Sequence, residues 1–221
     1  MTLETEKISG TVKLYHRHLL VCTGHTHWPS QVEQEGIFLQ TLAKTISART
    51  NEMSMKVKLT ACDTQSKNKG HDVMIFPEKI YYSGVLLSQI PNLVEEQLVK
   101  NRICRQIRNH SLSGQYVLIC VHGKRDLRCG DCGPPLASRF EEELATRKLT
   151  HMVSVQRTSH IGGHRFAGNV IIYPGGDWYG RVTPRDVPRI VDNHILNGQV
   201  VPELWRGKMG LSVEKQLSQL V

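Results

Sequence analysis

Two cysteines and two histidines in the second half of the chain have the residue types and the spacing of metal ligands. Cys120 and Cys129 stand nine positions apart, and the pair His160 and His164 begins forty positions after Cys120. Thiolates and imidazoles are donors that bind zinc and iron–sulfur clusters. Both pairs follow predicted strands, and two glycines between the histidines allow a tight loop. We therefore expect the four side chains to meet in one metal centre.

A [2Fe–2S] cluster suits this set of donors. Such a cluster takes two ligands per iron, and histidines replace the thiolates on one iron in Rieske centres. The natural division places Cys120 and Cys129 on one iron and His160 and His164 on the other. The predicted work is one-electron transfer or redox sensing, and no group of side chains indicates a catalytic site. Because an imidazole ligand can take up a proton on reduction, the potential should rise as the pH falls.

Two alternatives use Cys132 instead of Cys120. Cys129, Cys132, His160 and His164 together form a zinc set, although 27 residues between Cys132 and His160 exceed the roughly 12–15 of a zinc finger. The Cys129-Gly-Asp-Cys132 segment alone resembles the motif of a thiol–disulfide oxidoreductase. The zinc set leaves Cys120 without a role, and the thiol motif leaves both histidines without one. The cluster is therefore the favoured interpretation.

The first half of the chain repeats in the second at an offset of about 98 residues. Leu19-Leu-Val-Cys-Thr-Gly-His aligns with Val117-Leu-Ile-Cys-Val-His-Gly, which matches Cys22 to Cys120. The same offset matches Cys62 to His160. Since only two of the four ligand positions keep a cysteine or histidine in the first copy, we expect no cluster there. The predicted division is an N-terminal copy at 1–108, a C-terminal copy at 109–205 and a polar tail at 206–221.

Each copy reads as a βαβ unit followed by a β-hairpin and a closing helix. In the first copy we predict a helix at 36–48, strands at 57–60, 73–76 and 79–82, and a helix at 91–103. In the second we predict strands at 116–120, 152–156, 170–173 and 178–182, and helices at 134–148 and from 183 or 186 to 195. The tail is expected to form a short helix at 213–220. This order is thioredoxin-like, so the expected fold is α/β with tandem thioredoxin-like domains, each a central mixed sheet flanked by helices.

Three segments around the candidate ligands resemble a known family. They are Cys120-Val-His-Gly-Lys-Arg-Asp-Leu-Arg-Cys129, Ser159-His-Ile-Gly-Gly-His-Arg-Phe-Ala-Gly168 and Tyr179-Gly-Arg-Val182. Together they closely resemble the sucrase/ferredoxin-like family of thioredoxin-fold [2Fe–2S] proteins, over nearly the whole chain. The resemblance implies that Cys120, Cys129, His160 and His164 ligate the cluster, and it implies no sugar chemistry.

The overall charge bears on partners. The chain has a formal net charge of +8, and His122, Lys124, Arg125 and Arg128 surround the cysteine loop. These four side chains are expected to hydrogen-bond the sulfurs, to dock an acidic redox partner or simply to form a solvated loop. An aromatic content of 6% offers no stacking platform for nucleic acid.

The start of the chain and its apolar runs indicate the cellular compartment. No apolar run approaches the roughly 18 residues of a membrane span. The acidic start Met1-Thr-Leu-Glu-Thr-Glu-Lys resembles neither a signal nor a transit peptide. A cytoplasmic location is predicted, with mitochondria as the alternative. The sequence does not indicate an oligomeric state.

Overall fold

A single mixed β-sheet runs through both halves of the chain in the computed structural model, which describes residues 7–66 and 68–219. Its strands are β1 Arg17–Cys22, β2 Val57–Cys62, β3 His71–Phe76, β4 Ile80–Val85, β5 Asn109–Ser111, β6 Gln115–Cys120, β7 Val153–Thr158, β8 Val170–Tyr173, β9 Asp177–Tyr179 and β10 Trp205–Lys208. Their order across the sheet is β10-β9-β8-β6-β7-β2-β1-β3-β4-β5.

Each half of the sheet has the same internal pairing. The first strand of a half, β1 or β6, pairs in parallel with the second strand and antiparallel with the third. The fourth strand then pairs antiparallel with the third. The predicted thioredoxin-like order and the α/β class are therefore confirmed. An antiparallel contact between β2 and β7 joins the halves, with Cys62 opposite Thr158.

Among the described residues, the α-helices before residue 200 contribute buried side chains to one hydrophobic cluster with the sheet. The α-helices are α1 Gly36–Ala48, α2 Ile90–Leu93, α3 Leu127–Thr146, α4 Val187–Ile190 and α5 Val213–Ser218. Both α2 and α4 continue into a π-helical turn, at Val94–Val99 and Val191–Leu196. The α3 stripe of Leu136, Phe140 and Leu144 is buried, as its i, i+4 spacing predicts. Within the described residues, no helix combines the length and apolar character that crossing a membrane requires.

Several predicted boundaries were wrong. The main helix of the second half begins at Leu127 instead of Pro134, because Asp126 caps it by accepting a hydrogen bond from the backbone N–H of Arg128 (3.1 Å). Two prolines expected at its opening therefore lie inside it. The strand expected to reach residue 182 ends at Tyr179, and Arg181 adopts a left-handed φ of 57° shortly beyond it. The helix expected to reach residue 103 ends at Val99.

The ends of the two predicted copies lie within the sheet. Strands β5 and β10 pair with the fourth strand of their respective halves. The division at 108 and 205 remains a prediction, but residues 206–208 are part of the sheet and not only of a polar tail. A helix at Val213–Ser218 agrees with the expected tail helix, whose last residue, Leu220, lies outside the described residues.

Candidate metal centre

The two candidate cysteine ligands are brought together by a close contact between α3 and β6. Cys120 is the last residue of β6, and Cys129 lies in the first turn of α3. Gly133 permits this approach, since a Cβ on it would stand 2.2 Å from the carbonyl oxygen of Cys120. Gly130 allows a second contact, because a Cβ added to it would lie 2.6 Å from Cα of Gly123. Glycines at these positions let the helix seat Cys129 beside Cys120.

Three of the four predicted ligands form one compact group of donors. Among the described residues, one donor atom each from Cys120, Cys129 and His160 lies within 4.8 Å of the other two. Sγ of Cys120 stands 4.0 Å from Nδ1 of His160. Both cysteines are 1% exposed, and His160 is partly exposed. This group is a possible metal site made of two sulfurs and one imidazole nitrogen.

His164, the fourth predicted ligand, lies beside the group. It begins a short 3₁₀ helix, His164–Phe166, after Gly162 and Gly163, whose φ values are +106° and +74°. Its ring centroid is 5.8 Å from that of His160, with 32° between the ring planes. The side chain is 53% exposed, and its Nδ1 lies 3.9 Å from Oδ2 of Asp126. The glycines thus form the tight loop that the sequence predicts, and His164 retains freedom to turn.

The pKa values of the two thiols shift in opposite directions. A hydrogen bond from the thiol of Cys129 is the main reason that the pKa of Cys120 lies well below its ordinary value. Burial opposes this effect, and hydrogen bonds from His160 and from the backbone N–H groups of His122 and Ile161 add to it. The pKa of Cys129 is raised, chiefly because its proton is held by Cys120. One thiolate is therefore favoured in the pair, and a thiolate is the form that binds a metal.

One expectation was that the His122 side chain hydrogen-bonds the sulfurs, but it contacts backbone groups instead. The side chain is 1% exposed, and its Nδ1 accepts a hydrogen bond from the backbone N–H of His160 at 3.1 Å. Its Nε2 lies 2.9 Å from the carbonyl oxygen of Pro29, which requires the proton on Nε2. The ring stands edge-on to Trp28, with centroids 5.7 Å apart. His122 thus fixes the backbone of a candidate ligand and ties it to the first half.

Burial keeps His122 neutral, because it lowers the pKa of the imidazole. Asp126, predicted to brace the loop, does so by capping α3 and pairing with Arg128 (2.9 Å). The hydrogen bond from Arg128 lowers the pKa of the Asp126 carboxyl. The His122 imidazole and the Asp126 carboxylate therefore hold the backbone around the candidate ligands in place.

The corresponding place in the first half holds a different pair. Cys22 and Cys62 are buried, with their Sγ atoms 3.9 Å apart. They lie opposite each other on β1 and β2, where the second half has Cys120 opposite Thr158. The predicted match of Cys62 to His160 was therefore wrong by two residues. That this half holds no cluster stays a prediction.

Comparison with known proteins defines the class to which this fold and site belong. A model of the sucrase/ferredoxin-like family matches residues 8–207. The chain therefore belongs to the sucrase/ferredoxin-like family, which confirms the resemblance seen in the sequence.

Its curated relatives include fungal proteins named "Altered inheritance of mitochondria protein 32". The protein from Meyerozyma guilliermondii is 40% identical over 105 residues, a match that covers 46% of this chain and 37% of the relative. The one from Clavispora lusitaniae is 48% identical over 95 residues, covering 42% and 34%. That from Saccharomyces cerevisiae is 32% identical over 125 residues, covering 52% and 39%. The matches thus span well under half the length of these relatives.

Solved structures similar to this chain include a thioredoxin-like [2Fe–2S] ferredoxin from Aquifex aeolicus. The wild-type protein aligns with 26% identity and a TM-score of 0.40, over 43% of this chain and 99% of its own. Another structure of a thioredoxin-like [2Fe–2S] ferredoxin from that organism aligns with 25% identity and a TM-score of 0.38.

Proposed function

We propose that this chain is a [2Fe–2S] protein that transfers single electrons or senses redox state. Cys120, Cys129, His160 and His164 would be its ligands, as the family resemblance implies. The observation that carries the proposal is the buried thiol pair with an imidazole nitrogen 4.0 Å from one sulfur. Two soft sulfurs and a borderline nitrogen are donors that suit iron in such a cluster.

The chain's own residues fit the group. The lowered pKa of Cys120 favours one ligand as a thiolate. His164 is exposed and can turn toward the sulfurs without leaving a packed core. Cys129 also lies in the first turn of α3, where the helix dipole stabilises negative charge. When bound, the cluster would accept and release one electron at a time.

The two alternatives have less support. Cys132, which both require, is exposed, and it does not belong to the group of donors formed by the described residues. The raised pKa of Cys129 keeps it a thiol, whereas disulfide exchange through Cys129-Cys132 needs a thiolate. A protein built for zinc or for disulfide exchange through Cys132 would place that sulfur in the site.

Comparing two cysteine variants tests the ligand set. Cys120→Ser should lose most of the bound iron and acid-labile sulfide, whereas Cys132→Ser should keep both. Cys132 is the matched control because it lies on the same helix as Cys129 and its removal is equally conservative. If Cys132→Ser empties the site and Cys120→Ser does not, the ligand set is the zinc-type one.

An acidic redox partner would fit the exposed charges near the histidines. Lys124 and Arg125 are exposed in the loop between β6 and α3. If these charges steer the partner, added salt should slow electron transfer, because screening weakens attraction between separated charges. A rate unchanged between low and high salt would reject electrostatic docking.

The names of the relatives favour mitochondria over the cytoplasm as the place of action. Those names concern altered inheritance of mitochondria. We infer that this chain also acts in or at that organelle, contrary to the first expectation from its sequence. Fractionation of cells that express the tagged full chain would locate it.

A further inference from the structure

A cavity of about 500 Å³ opens beside His160 and His164, and its lining is strongly basic. The cationic side chains that line it are Lys13, Lys58, Arg125, Arg165 and Arg206. Among the residues that the structure describes, no carboxylate lines this cavity. The remaining walls include the aromatic rings of Phe166 and Trp178. The lining therefore combines several positive charges with apolar surface.

Lys58 lies in the cavity wall without a described carboxylate partner, although the charge of the Cys120 thiolate raises its pKa. It projects from β2, and its Nζ donates a hydrogen bond to the carbonyl oxygen of Ile161 at 2.7 Å. The same Nζ stands 5.4 Å from the ring centroids of Tyr15 and Trp178. Burial, with a smaller effect from the charge of Arg206, lowers the pKa of Lys58 to about 8. Burial disfavours the positive charge of Lys58, so a nearby anion would stabilise that charge.

Arg206 is 2% exposed and interacts with neutral acceptors alone in the described part of the chain. Its guanidinium donates to Oδ1 of Asn169 at 2.6 Å and to Oγ1 of Thr11 at 3.1 Å. It also lies over the ring of Phe166, 4.9 Å from the centroid. Buried arginines are ordinarily paired with a carboxylate. Here the positive charge is fixed in place, and no carboxylate of residues 7–66 or 68–219 pairs with it.

The proposed metal centre balances these charges only in part, through the Cys120 thiolate near Lys58. An oxidised [2Fe–2S] cluster with two thiolates and two neutral imidazoles has no net charge, and the reduced form has one negative charge. Lys13, Lys58, Arg125 and Arg206 make no ion pair with a carboxylate of the described residues. A second source of negative charge is therefore expected at this place.

We propose that this cavity binds a small organic anion that carries phosphate or carboxylate groups. Its volume is in the range of about 300–1,000 Å³ that small-molecule sites occupy. The cations would hold the charged groups of the ligand. Binding itself does not depend on the proposed cluster. An effect on its potential does: an anion beside His164 would favour the oxidised form and lower the potential.

Calorimetric titration of the full chain with inorganic pyrophosphate and, separately, with citrate tests the site. At constant ionic strength we expect at least one of these probes to bind saturably at one site per chain. Pyrophosphate alone would indicate a phosphorylated ligand, and citrate alone a polycarboxylate. The absence of saturable binding for both probes would overturn the inference.

Variants locate the binding. Lys58→Met should weaken it by about tenfold or more, since a charge-assisted hydrogen bond contributes about that much. Because Lys58 is partly buried, the double variant of the exposed rim residues, Lys13→Met with Arg125→Met, provides a second measure that spares the core. Lys44→Met on α1, also exposed, is the control and should bind as the parent does. Equal weakening in the control would mean non-specific attraction and would contradict the site.

The outcome is separable from that of the proposed function. The titration is read on the purified chain whatever metal it holds, so a colourless protein that binds pyrophosphate would refute the cluster and support the cavity. A protein that contains the cluster but binds neither probe would support the cluster and refute the anion site.

Discussion

At the residue scale, the candidate site consists of donors that the sequence identifies and a supporting residue whose role it hides. The types and spacing of Cys120, Cys129 and His160 were enough to predict that they meet, and they do. The role of His122 was not predictable, because its partner Pro29 lies 93 positions away in the chain. Local sequence can show that a histidine is present near a ligand, but not which distant carbonyl will orient it.

The role of His122 gives a first prediction. His122→Phe removes the acceptor for the backbone N–H of His160 and the donor to Pro29, and it keeps an aromatic ring against Trp28. Since the partners of metal ligands affect affinity by about 10- to 100-fold, we expect the variant to release iron to a chelator correspondingly faster. Iron release followed in the visible spectrum measures this effect.

Exposed His151 supplies the control for that experiment. His151→Phe makes the same chemical change away from the site and should release iron at the parent rate. Equal rates for His122→Phe and the parent would show that the orientation of His160 does not depend on His122.

At the element scale, the position of α3 determines whether the two sulfurs meet. The predicted strands lie within about three residues of the observed ones, but β5 and β10 were not predicted. The start of α3 was missed because prolines commonly open helices, and Pro134 drew the boundary seven residues too late. The Asp126 cap, which sets the true start, is one polar residue in a loop already rich in charge, so its signal was weak.

Contact between α3 and β6 gives a second prediction. Replacing a helical glycine by alanine ordinarily stabilises a helix by up to about 1 kcal/mol. At Gly133 the added Cβ would meet the backbone of Cys120 at 2.2 Å, so the helix must move outward. We expect Gly133→Ala to lower the free energy of unfolding by about 1–3 kcal/mol and to reduce the metal content.

Urea unfolding and metal analysis of Gly133→Ala check this prediction. Ser138→Ala, an exposed substitution on the same helix, is the control and should change neither quantity appreciably. A Gly133→Ala protein that is more stable than the parent would contradict the close approach.

At the scale of the whole molecule, the two halves share one sheet and a common interior. The repeat in the sequence predicted two similar halves, but not that β2 and β7 would pair. Either strand alone reads as an ordinary half-buried strand, and nothing in it specifies which neighbour it takes. Pairing of these two strands removes two exposed sheet edges, which otherwise invite association with other chains.

His18 connects the two halves through hydrogen bonds of its side chain. Its Nδ1 lies 2.8 Å from the hydroxyl of Tyr173, and its Nε2 lies 2.8 Å from Oγ1 of Thr60. The side chain is fully buried, and burial, aided by the charge of Lys58, holds its pKa well below the ordinary value. His18 is therefore neutral in the folded protein, although it would accept a proton in the unfolded chain.

The depressed pKa of His18 predicts a pH dependence of stability. Above about pH 6.5 the imidazole is neutral in both states, and below it the unfolded state binds a proton that the native state does not. The contribution of His18 to stability is thus present above pH 6.5 and is lost as the pH falls, at about 1.4 kcal/mol per pH unit.

Denaturant unfolding at several pH values from 7.5 to 5 measures this slope. His18→Gln should flatten it by close to one proton, whereas His151→Gln should leave it as in the parent. A slope that is identical in the parent and in His18→Gln would mean that His18 is protonated in the folded state.

The electron paramagnetic resonance spectrum of anaerobically purified, chemically reduced protein tests the central claim most directly. A [2Fe–2S] centre held by Cys120, Cys129, His160 and His164 predicts a red-brown oxidised protein that gives one paramagnetic signal on reduction, with about two irons and two sulfides per chain. A colourless protein that contains zinc or no metal, and gives no signal on reduction, would contradict it.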